Sequence, residues 1–151
     1  MIELAQDFKD ILIELADAEV DFALIGGYAV AFHGYPRATK DLDLLVRANR
    51  SNAEKVYQAL SAFGAPLEQF QVTKDDFSEY EGVLQIGLPP RRIDILNRVS
   101  GITFDEAVSE QQAFELDGRR IPVIGLNALL RNKRASDREQ DRADIAALEP
   151  K

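Results

Sequence analysis

The stretch from residue 24 to residue 46 constrains the fold more than any other part of the chain. An apolar run ends in the pair Gly26-Gly27, a short helical segment follows, and a second apolar run opens on Asp41 and Asp43, separated by one leucine. Successive side chains of an extended strand point to opposite faces, so the two aspartates share one face of the second strand. The sequence therefore predicts a strand, a short helix and a second strand that presents two carboxylates side by side.

Two carboxylates this close together need a cation. Like charges at neighbouring positions repel each other, and Asp is a poor strand former. Mg²⁺ suits such a position because it takes carboxylate oxygens and still accepts phosphate oxygens. The Gly26-Gly27 pair allows a sharp turn and a close approach of the backbone to a ligand, and the helix after it begins with free N–H groups. The stretch thus predicts a metal site next to a phosphate site.

A third carboxylate, Asp94, lies in an apolar strand-like run between Ile93 and Ile95. A charge in such a run needs a partner. One interpretation is an ion pair with Arg92, and the other is a place in the same site as the first two aspartates. The single histidine, His33, falls at the end of the short helix, where we expect a nearby carbonyl to satisfy it.

The spacing of glycines and aspartates resembles a known signature. Gly26-Gly27, thirteen intervening residues and then Asp41-Leu42-Asp43 resemble the signature of the nucleotidyltransferase superfamily typified by DNA polymerase beta. Within it, residues 26–46 resemble small bacterial nucleotidyltransferase-like proteins grouped with the AbiEii toxins, whereas the aminoglycoside and lincosamide nucleotidyltransferases are more distant relatives. The resemblance implies an α/β (α+β) fold with a mixed β-sheet of about five strands flanked by helices.

The resemblance also implies residue roles. Asp41, Asp43 and Asp94 are expected to be the catalytic residues and the ligands of two Mg²⁺ ions, with Mn²⁺ as a substitute. Asp94 fits because the superfamily places a third carboxylate on the strand beside the first two. The backbone of Gly26 and Gly27 is expected to bind the β- and γ-phosphates.

The carboxyl-terminal region carries a further resemblance to the AbiEii-like proteins. Lys133, Arg138, Asp141 and Asp144 match a pattern in which basic residues reach the nucleotide phosphates and acids brace them. The alternative is a solvated, salt-bridged helix face. Arg37 can meet a phosphate or balance the aspartates. The predicted nucleotide-binding residues are Gly26, Gly27, Arg37, Lys133 and Asp141.

Local patterns predict the remaining elements. Helical periodicity predicts a helix from about Glu3 to Ala18. Capping boxes predict three more helix starts, at Ser51 with Glu54, Thr103 with Glu106, and Ser136 with Glu139. Residues 82–88 and 92–96 are predicted to form one hairpin around the turn at 89–91, and residues 113–116 and 119–124 another around Asp117-Gly118.

Composition narrows the function. The chain has 151 residues, no cysteine and a net charge of −8. We expect one nucleotidyltransferase domain over residues 1–151, with a core of about 20–124 followed by helices over about 126–149. An acidic chain is unsuited to extended nucleic-acid binding, and the absence of apolar spans and of a signal-peptide pattern favours a cytoplasmic protein without membrane contact.

These features together predict Mg²⁺-dependent transfer of a nucleoside monophosphate. The donor is a nucleoside triphosphate, with ATP favoured, and the acceptor is a hydroxyl group on a small molecule, a protein or an RNA end. A role in a toxin–antitoxin pair is one expectation, and a homodimer or a cognate protein partner is expected to complete the acceptor site. One alternative is a non-catalytic relative that binds nucleotide or neutralises a partner, against which the three intact aspartates argue. Another is a structural domain whose acidic residues only pair with Arg37 and Arg92.

Overall fold

A computed structural model describes residues 4–78, 83–86 and 91–149. The helices are α1 (Gln6–Asp17), α2 (Gly26–Phe32), α3 (Arg50–Phe63), a 3-10 helix (Lys74–Phe77), α4 (Phe104–Ser109), α5 (Leu126–Ser136) and α6 (Glu139–Leu148). The strands are β1 (Phe22–Ile25), β2 (Asp41–Val46), β3 (Val83–Ile86), β4 (Arg92–Leu96), β5 (Gln112–Leu116) and β6 (Arg119–Val123). In these ranges, no helix is long and apolar enough to cross a membrane.

The strands form one mixed sheet in the order β3-β4-β2-β1-β6-β5. The central strand β1 runs antiparallel to β2 and parallel to β6, and β2 runs parallel to β4. The antiparallel hairpins β3–β4 and β5–β6 form the two edges of the sheet. The predicted mixed α/β sheet is confirmed, with six strands in the described residues where about five were expected.

Burial follows the periodicity of the sequence. Phe22, Ala23, Leu24 and Ile25 of β1 are all buried, as suits a central strand covered on both faces. In β2 the burial alternates over the first four residues, so that the leucines enter the core and the aspartates stay partly accessible. One apolar face of α1 packs on the sheet. The helix begins at Gln6, later than predicted, and Glu3 lies outside the described residues.

Two of the three predicted capping boxes are wrong. Asn49 caps α3, where its side chain accepts a hydrogen bond of 2.8 Å from the backbone N–H of Asn52, and Ser51 lies inside the helix. Helix α5 runs through Ser136, whose hydroxyl donates to the carbonyl of Asn132 at 2.9 Å, so this serine cannot cap α6. Asn49 thereby satisfies one free N–H group in the first turn of α3, and at α6 the side chain of Asp141 accepts from the backbone N–H of Arg138 at 3.1 Å.

The other local predictions hold. Thr103 and Glu106 form the predicted box at α4, with hydrogen bonds of 2.9 and 3.1 Å. Residues Asp117 and Gly118 turn the β5–β6 hairpin. The β3–β4 hairpin is also present, but its predicted strand residues 82, 87 and 88 and the turn residues 89 and 90 lie outside the described ranges.

Candidate active site

Four charged side chains form an array on one face of the sheet where β2 and β4 pair. Asp41 lies opposite Arg92, and Asp43 lies opposite Asp94. Residues two apart on a strand share a face, and paired residues on neighbouring strands do as well. The structure therefore brings the three predicted aspartates together beside one guanidinium group. We call these four residues the charged array.

Arg92 bridges two of the three carboxylates. Its Nε donates to Oδ1 of Asp94 at 2.9 Å, and its Nη2 donates to Oδ2 of Asp94 at 3.4 Å and to Oδ2 of Asp41 at 3.3 Å. Asp94 is 8% exposed, so this partner compensates a buried charge. The ion pair of Asp94 with Arg92 is thus present, and Asp94 also lies beside the first two aspartates; its catalytic role stays a prediction.

Burial and the neighbouring carboxylates raise the pKa of the Asp43 carboxyl to about 7. Burial is the largest cause, followed by the negative charge of Asp94, a hydrogen bond with Asp94 and the charge of Asp41, while Arg92 acts in the opposite direction. An ordinary aspartate titrates near 3.8. One guanidinium group therefore leaves part of the negative charge of the array uncompensated.

The Gly26-Gly27 turn packs directly against the array. Ile25 pairs with Asp43 across β1 and β2, so the chain turns into α2 next to this carboxylate. Gly26 has a φ of +68°, and a Cβ at this position would come within 3.0 Å of the Asp43 side chain. A Cβ at Gly27 would lie 2.7 Å from Oγ1 of Thr39. Glycine is needed because the turn lies in contact with β2 and with the segment before it.

A second cluster of charges is buried between α5, α6 and the segment before β2. Nζ of Lys133 lies 2.8 Å from Oδ2 of Asp144 and 3.2 Å from Oδ1 of Asp141. Arg37 donates to Asp144 through Nε at 2.8 Å and through Nη2 at 3.0 Å. The side chains of Lys133, Asp141 and Asp144 are at most 5% exposed. The solvated helix face considered for this region is therefore wrong for these three residues, although the salt bridges that it included are present.

The buried cluster bears on the predicted nucleotide-binding residues. Arg37 and Lys133 both point at carboxylates in this structure, and Asp141 and Asp144 hold them. Binding of phosphate by Arg37, Lys133 and Asp141 stays a prediction. The ion pairs tie α5 and α6 to the segment that enters β2.

Arg138 is the exposed member of this cluster. Its Nε and Nη2 donate to Asp141 at 2.9 and 3.2 Å, yet its side chain is 76% exposed. The hydrogen bond with Asp141 is the largest cause of its raised pKa, and the charge of Asp43 also contributes. Arg138 is therefore an exposed positive charge on which Asp43 has an electrostatic effect.

Two site features escaped the sequence reasoning. Thr39 packs on Gly27 and donates from its hydroxyl to the carbonyl of Asp41 at 3.3 Å. Its position two residues before Asp41 could have indicated this role, because residues two apart in an extended chain lie on the same face. The second feature is the bridge that Arg92 makes from Asp94 to Asp41. For His33 the expectation is confirmed, because its Nε2 lies 2.7 Å from the carbonyl of Ile124.

A mixed sheet with three carboxylates on adjacent strands, and with a Gly-Gly turn against them, is the arrangement expected of a nucleotidyltransferase. The family model described as aminoglycoside-2''-adenylyltransferase matches residues 7–148. The chain therefore belongs to this family and is a nucleotidyltransferase. The superfamily prediction is confirmed, but the match is to a family that we expected to be a more distant relative, and the resemblance to AbiEii toxins is not confirmed.

Solved structures show the same fold. An antigenic nucleotidyltransferase-like protein from Paracoccidioides brasiliensis is 18% identical with a TM-score of 0.57, over 96% of this chain and 77% of the other. The lincosamide antibiotic adenylyltransferase LnuA, with lincomycin bound, is 20% identical with a TM-score of 0.57, over 96% of both chains. No curated protein matches the chain.

Proposed function

We propose that this chain transfers AMP from ATP to a hydroxyl group of a small cationic acceptor of the aminoglycoside type. The observation that carries the proposal is the register of β2 and β4, which sets Asp94 opposite Asp43, with Asp41 on the same face and the Gly26-Gly27 turn alongside. The name of the matching family supports both the adenylyl group and the acceptor class. A net charge of −8 favours a cationic acceptor over a nucleic acid.

The donor chemistry of the array fits a divalent cation. Asp41, Asp43 and Asp94 offer carboxylate oxygens, which Mg²⁺ prefers and Mn²⁺ also accepts. Burial is the largest cause of the raised pKa of Asp43, and the charges of Asp94 and Asp41, which such a cation would offset, add to it. When bound, Mg²⁺, as one ion or two, would offset the charge of the phosphates and lower the pKa of the acceptor hydroxyl.

The residues of the chain have distinct roles in the proposed reaction. The acceptor oxygen attacks the α-phosphorus, the bond from that phosphorus to the oxygen bridging to the β-phosphate breaks, and pyrophosphate leaves. Asp94 takes the proton of the acceptor hydroxyl. The backbone of Gly26 and Gly27 binds the β- and γ-phosphates. Arg138 is proposed to contact these phosphates because its guanidinium group is exposed, whereas Lys133 is buried against Asp141 and Asp144.

Label transfer from α-labelled ATP tests the proposal. The reaction would contain Mg²⁺ and, separately, an aminoglycoside, its 2''-deoxy analogue, a lincosamide, RNA and a mixture of proteins. We expect label on the aminoglycoside that carries the 2''-hydroxyl, at least a hundredfold less on the deoxy analogue, and none with Asp43→Asn.

Other outcomes would identify the alternatives. Label on RNA or on protein alone would refute the small acceptor and support a role in a toxin–antitoxin pair. ATP binding with no transfer to any acceptor would support the non-catalytic alternative. Dimerisation and a cognate protein partner also stay predictions, and sedimentation of the purified chain tests the first of them.

A further inference from the structure

We propose that Arg92 is a displaceable counter-ion of the array, which holds Asp41 and Asp94 in the metal-free protein and competes with the divalent cation for them. The inference rests on the proposed metal-dependent function. It adds a role for a residue that lies outside the predicted set of site residues.

The contacts of Arg92 coincide with the oxygens that a metal would need. Both oxygens of Asp94 accept from Arg92, at 2.9 and 3.4 Å, and one oxygen of Asp41 accepts at 3.3 Å. The planar guanidinium group suits such a paired contact with a carboxylate. A cation held by Asp94 would therefore bind an oxygen that already accepts a hydrogen bond from Arg92, and the two positive charges on one carboxylate would repel each other.

The present arrangement of the carboxylates agrees with this competition. Over the ranges 4–78, 83–86 and 91–149, no three acidic, histidine or cysteine side chains are arranged to hold a metal ion as they stand. The donor set for a cation is nevertheless present, because Asp41, Asp43 and Asp94 share one face in fixed register. The guanidinium of Arg92 contributes the one positive charge among these four residues.

Arg92 is the partner that can move. Its side chain is 40% exposed, whereas the side chain of Asp94 is 11% exposed. Arg92 begins β4, and its contacts with the array are made by the end of a long side chain. A change of rotamer can therefore release both carboxylates without any change in the pairing of β2 with β4.

Metal binding to the nucleotide-free protein tests the competition directly. The probe is Mn²⁺, followed by calorimetry and by the paramagnetic resonance signal of the free ion, with wild type, Arg92→Gln and Arg92→Lys. Because half-exposed ion pairs and their hydrogen bonds are individually weak, we expect Arg92→Gln to bind Mn²⁺ about tenfold more tightly than wild type. Arg92→Lys, which keeps the charge but loses the paired geometry, should lie between the two.

Arg119→Gln is the matched control. Arg119 is 38% exposed and makes a paired contact with Asp17, at 3.0 and 3.1 Å, so this variant also loses one positive charge and one ion pair. Arg119 begins β6, at the end of the sheet away from Asp43, because Leu24 pairs with Val123 at the other end of that strand. We expect its Mn²⁺ affinity to equal that of wild type.

The outcomes separate this inference from the proposed function. Tighter binding by Arg92→Gln alone supports the competition, even if wild type binds too weakly to measure. Equal or weaker binding by Arg92→Gln, with wild type binding Mn²⁺, overturns the role of Arg92 and leaves the metal site intact. No binding by any variant overturns the inference and removes the metal from the proposed function.

A spectroscopic measurement on wild type avoids any dependence on how the variants fold. The Nε–H resonance of Arg92 reports its hydrogen bond with Asp94. We expect Mg²⁺ to shift this resonance and to speed its exchange with solvent, while the Nε–H resonance of Arg119 stays in place. A resonance of Arg92 that does not move at saturating Mg²⁺ would overturn the proposal.

Discussion

Replacing Asp43 by Asn should stabilise the metal-free protein at alkaline pH while abolishing the proposed activity. Asn has nearly the shape of Asp and removes a carboxyl whose pKa is raised to about 7 by burial and by neighbouring carboxylates. Where a fold holds like charges together to bind a ligand, we expect some of these residues to destabilise the ligand-free protein. Stability and activity should therefore change in opposite directions.

The magnitude follows from the shift in pKa. The folded state raises the pKa of Asp43 from 3.8 to about 7, so between these values the native protein binds more protons than the unfolded chain. The free energy of unfolding therefore falls as the pH rises from about 4 to 7. Three pKa units correspond to at most about 4 kcal/mol, which partial exposure and sharing of charge reduce to about 1–3 kcal/mol. Because Asn does not ionise, Asp43→Asn avoids this loss of free energy of unfolding. We therefore expect its Tm at pH 8 to be about 3–10 °C higher than that of wild type.

Thermal and urea unfolding at pH 4 and pH 8, with EDTA or with Mg²⁺, measure the effect. We expect Asp43→Asn to have a higher Tm and a higher free energy of unfolding than wild type at pH 8 in EDTA, with a much smaller difference at pH 4. Mg²⁺ should stabilise wild type and leave the variant unchanged. Asp75→Asn makes the same chemical change at an exposed position and should have little effect. A wild type as stable as Asp43→Asn at pH 8 in EDTA, or a difference independent of pH, would refute the reasoning.

Two further variants test the turn and the buried cluster. Gly26→Ala should cost at least about 1–2 kcal/mol for its left-handed backbone and should also weaken ATP binding, because the new Cβ meets Asp43. Gly118→Ala is the control: Gly118 has a φ of +82° with open space around it, so this variant should lose stability but bind ATP as wild type does. Equal ATP binding by Gly26→Ala and Gly118→Ala would contradict the role of the turn. Lys133→Met should cost about 3–5 kcal/mol in urea unfolding, since it leaves two buried carboxylates without their shared cation. A loss of free energy of unfolding below about 1 kcal/mol would show that Arg37 and Arg138 compensate the two carboxylates without Lys133.

Short-range signals predicted much of the fold. The Asp117-Gly118 turn and the box at Thr103 are set by residues within a few positions of each other, and both were found as expected. The face shared by Asp41 and Asp43 follows from the period of a strand. Helix boundaries were less predictable. Asn49 and Ser51 are both residues that can cap a helix, and α3 begins after Asn49, whose side chain accepts a hydrogen bond from the backbone N–H of Asn52.

Long-range contacts account for what the sequence could not show. The bridge from Arg92 to Asp41 depends on the register between two strands whose residues lie 51 positions apart. The burial of Lys133 depends on how α5 and α6 pack and on Arg37, which is 107 positions from Asp144. Alternating charges on a helix usually lie in solvent, so their pattern gave no sign of this burial.

Calorimetric titration of ATP, with and without Mg²⁺, tests the central claim most directly, because it needs no knowledge of the acceptor. Wild type would be compared with the double variant Asp41→Asn/Asp43→Asn. If the array is a metal-dependent nucleotide site, wild type binds ATP only with Mg²⁺ and the double variant does not bind. Failure of wild type to bind ATP under either condition, or equal binding by both proteins, would contradict the assignment of the site.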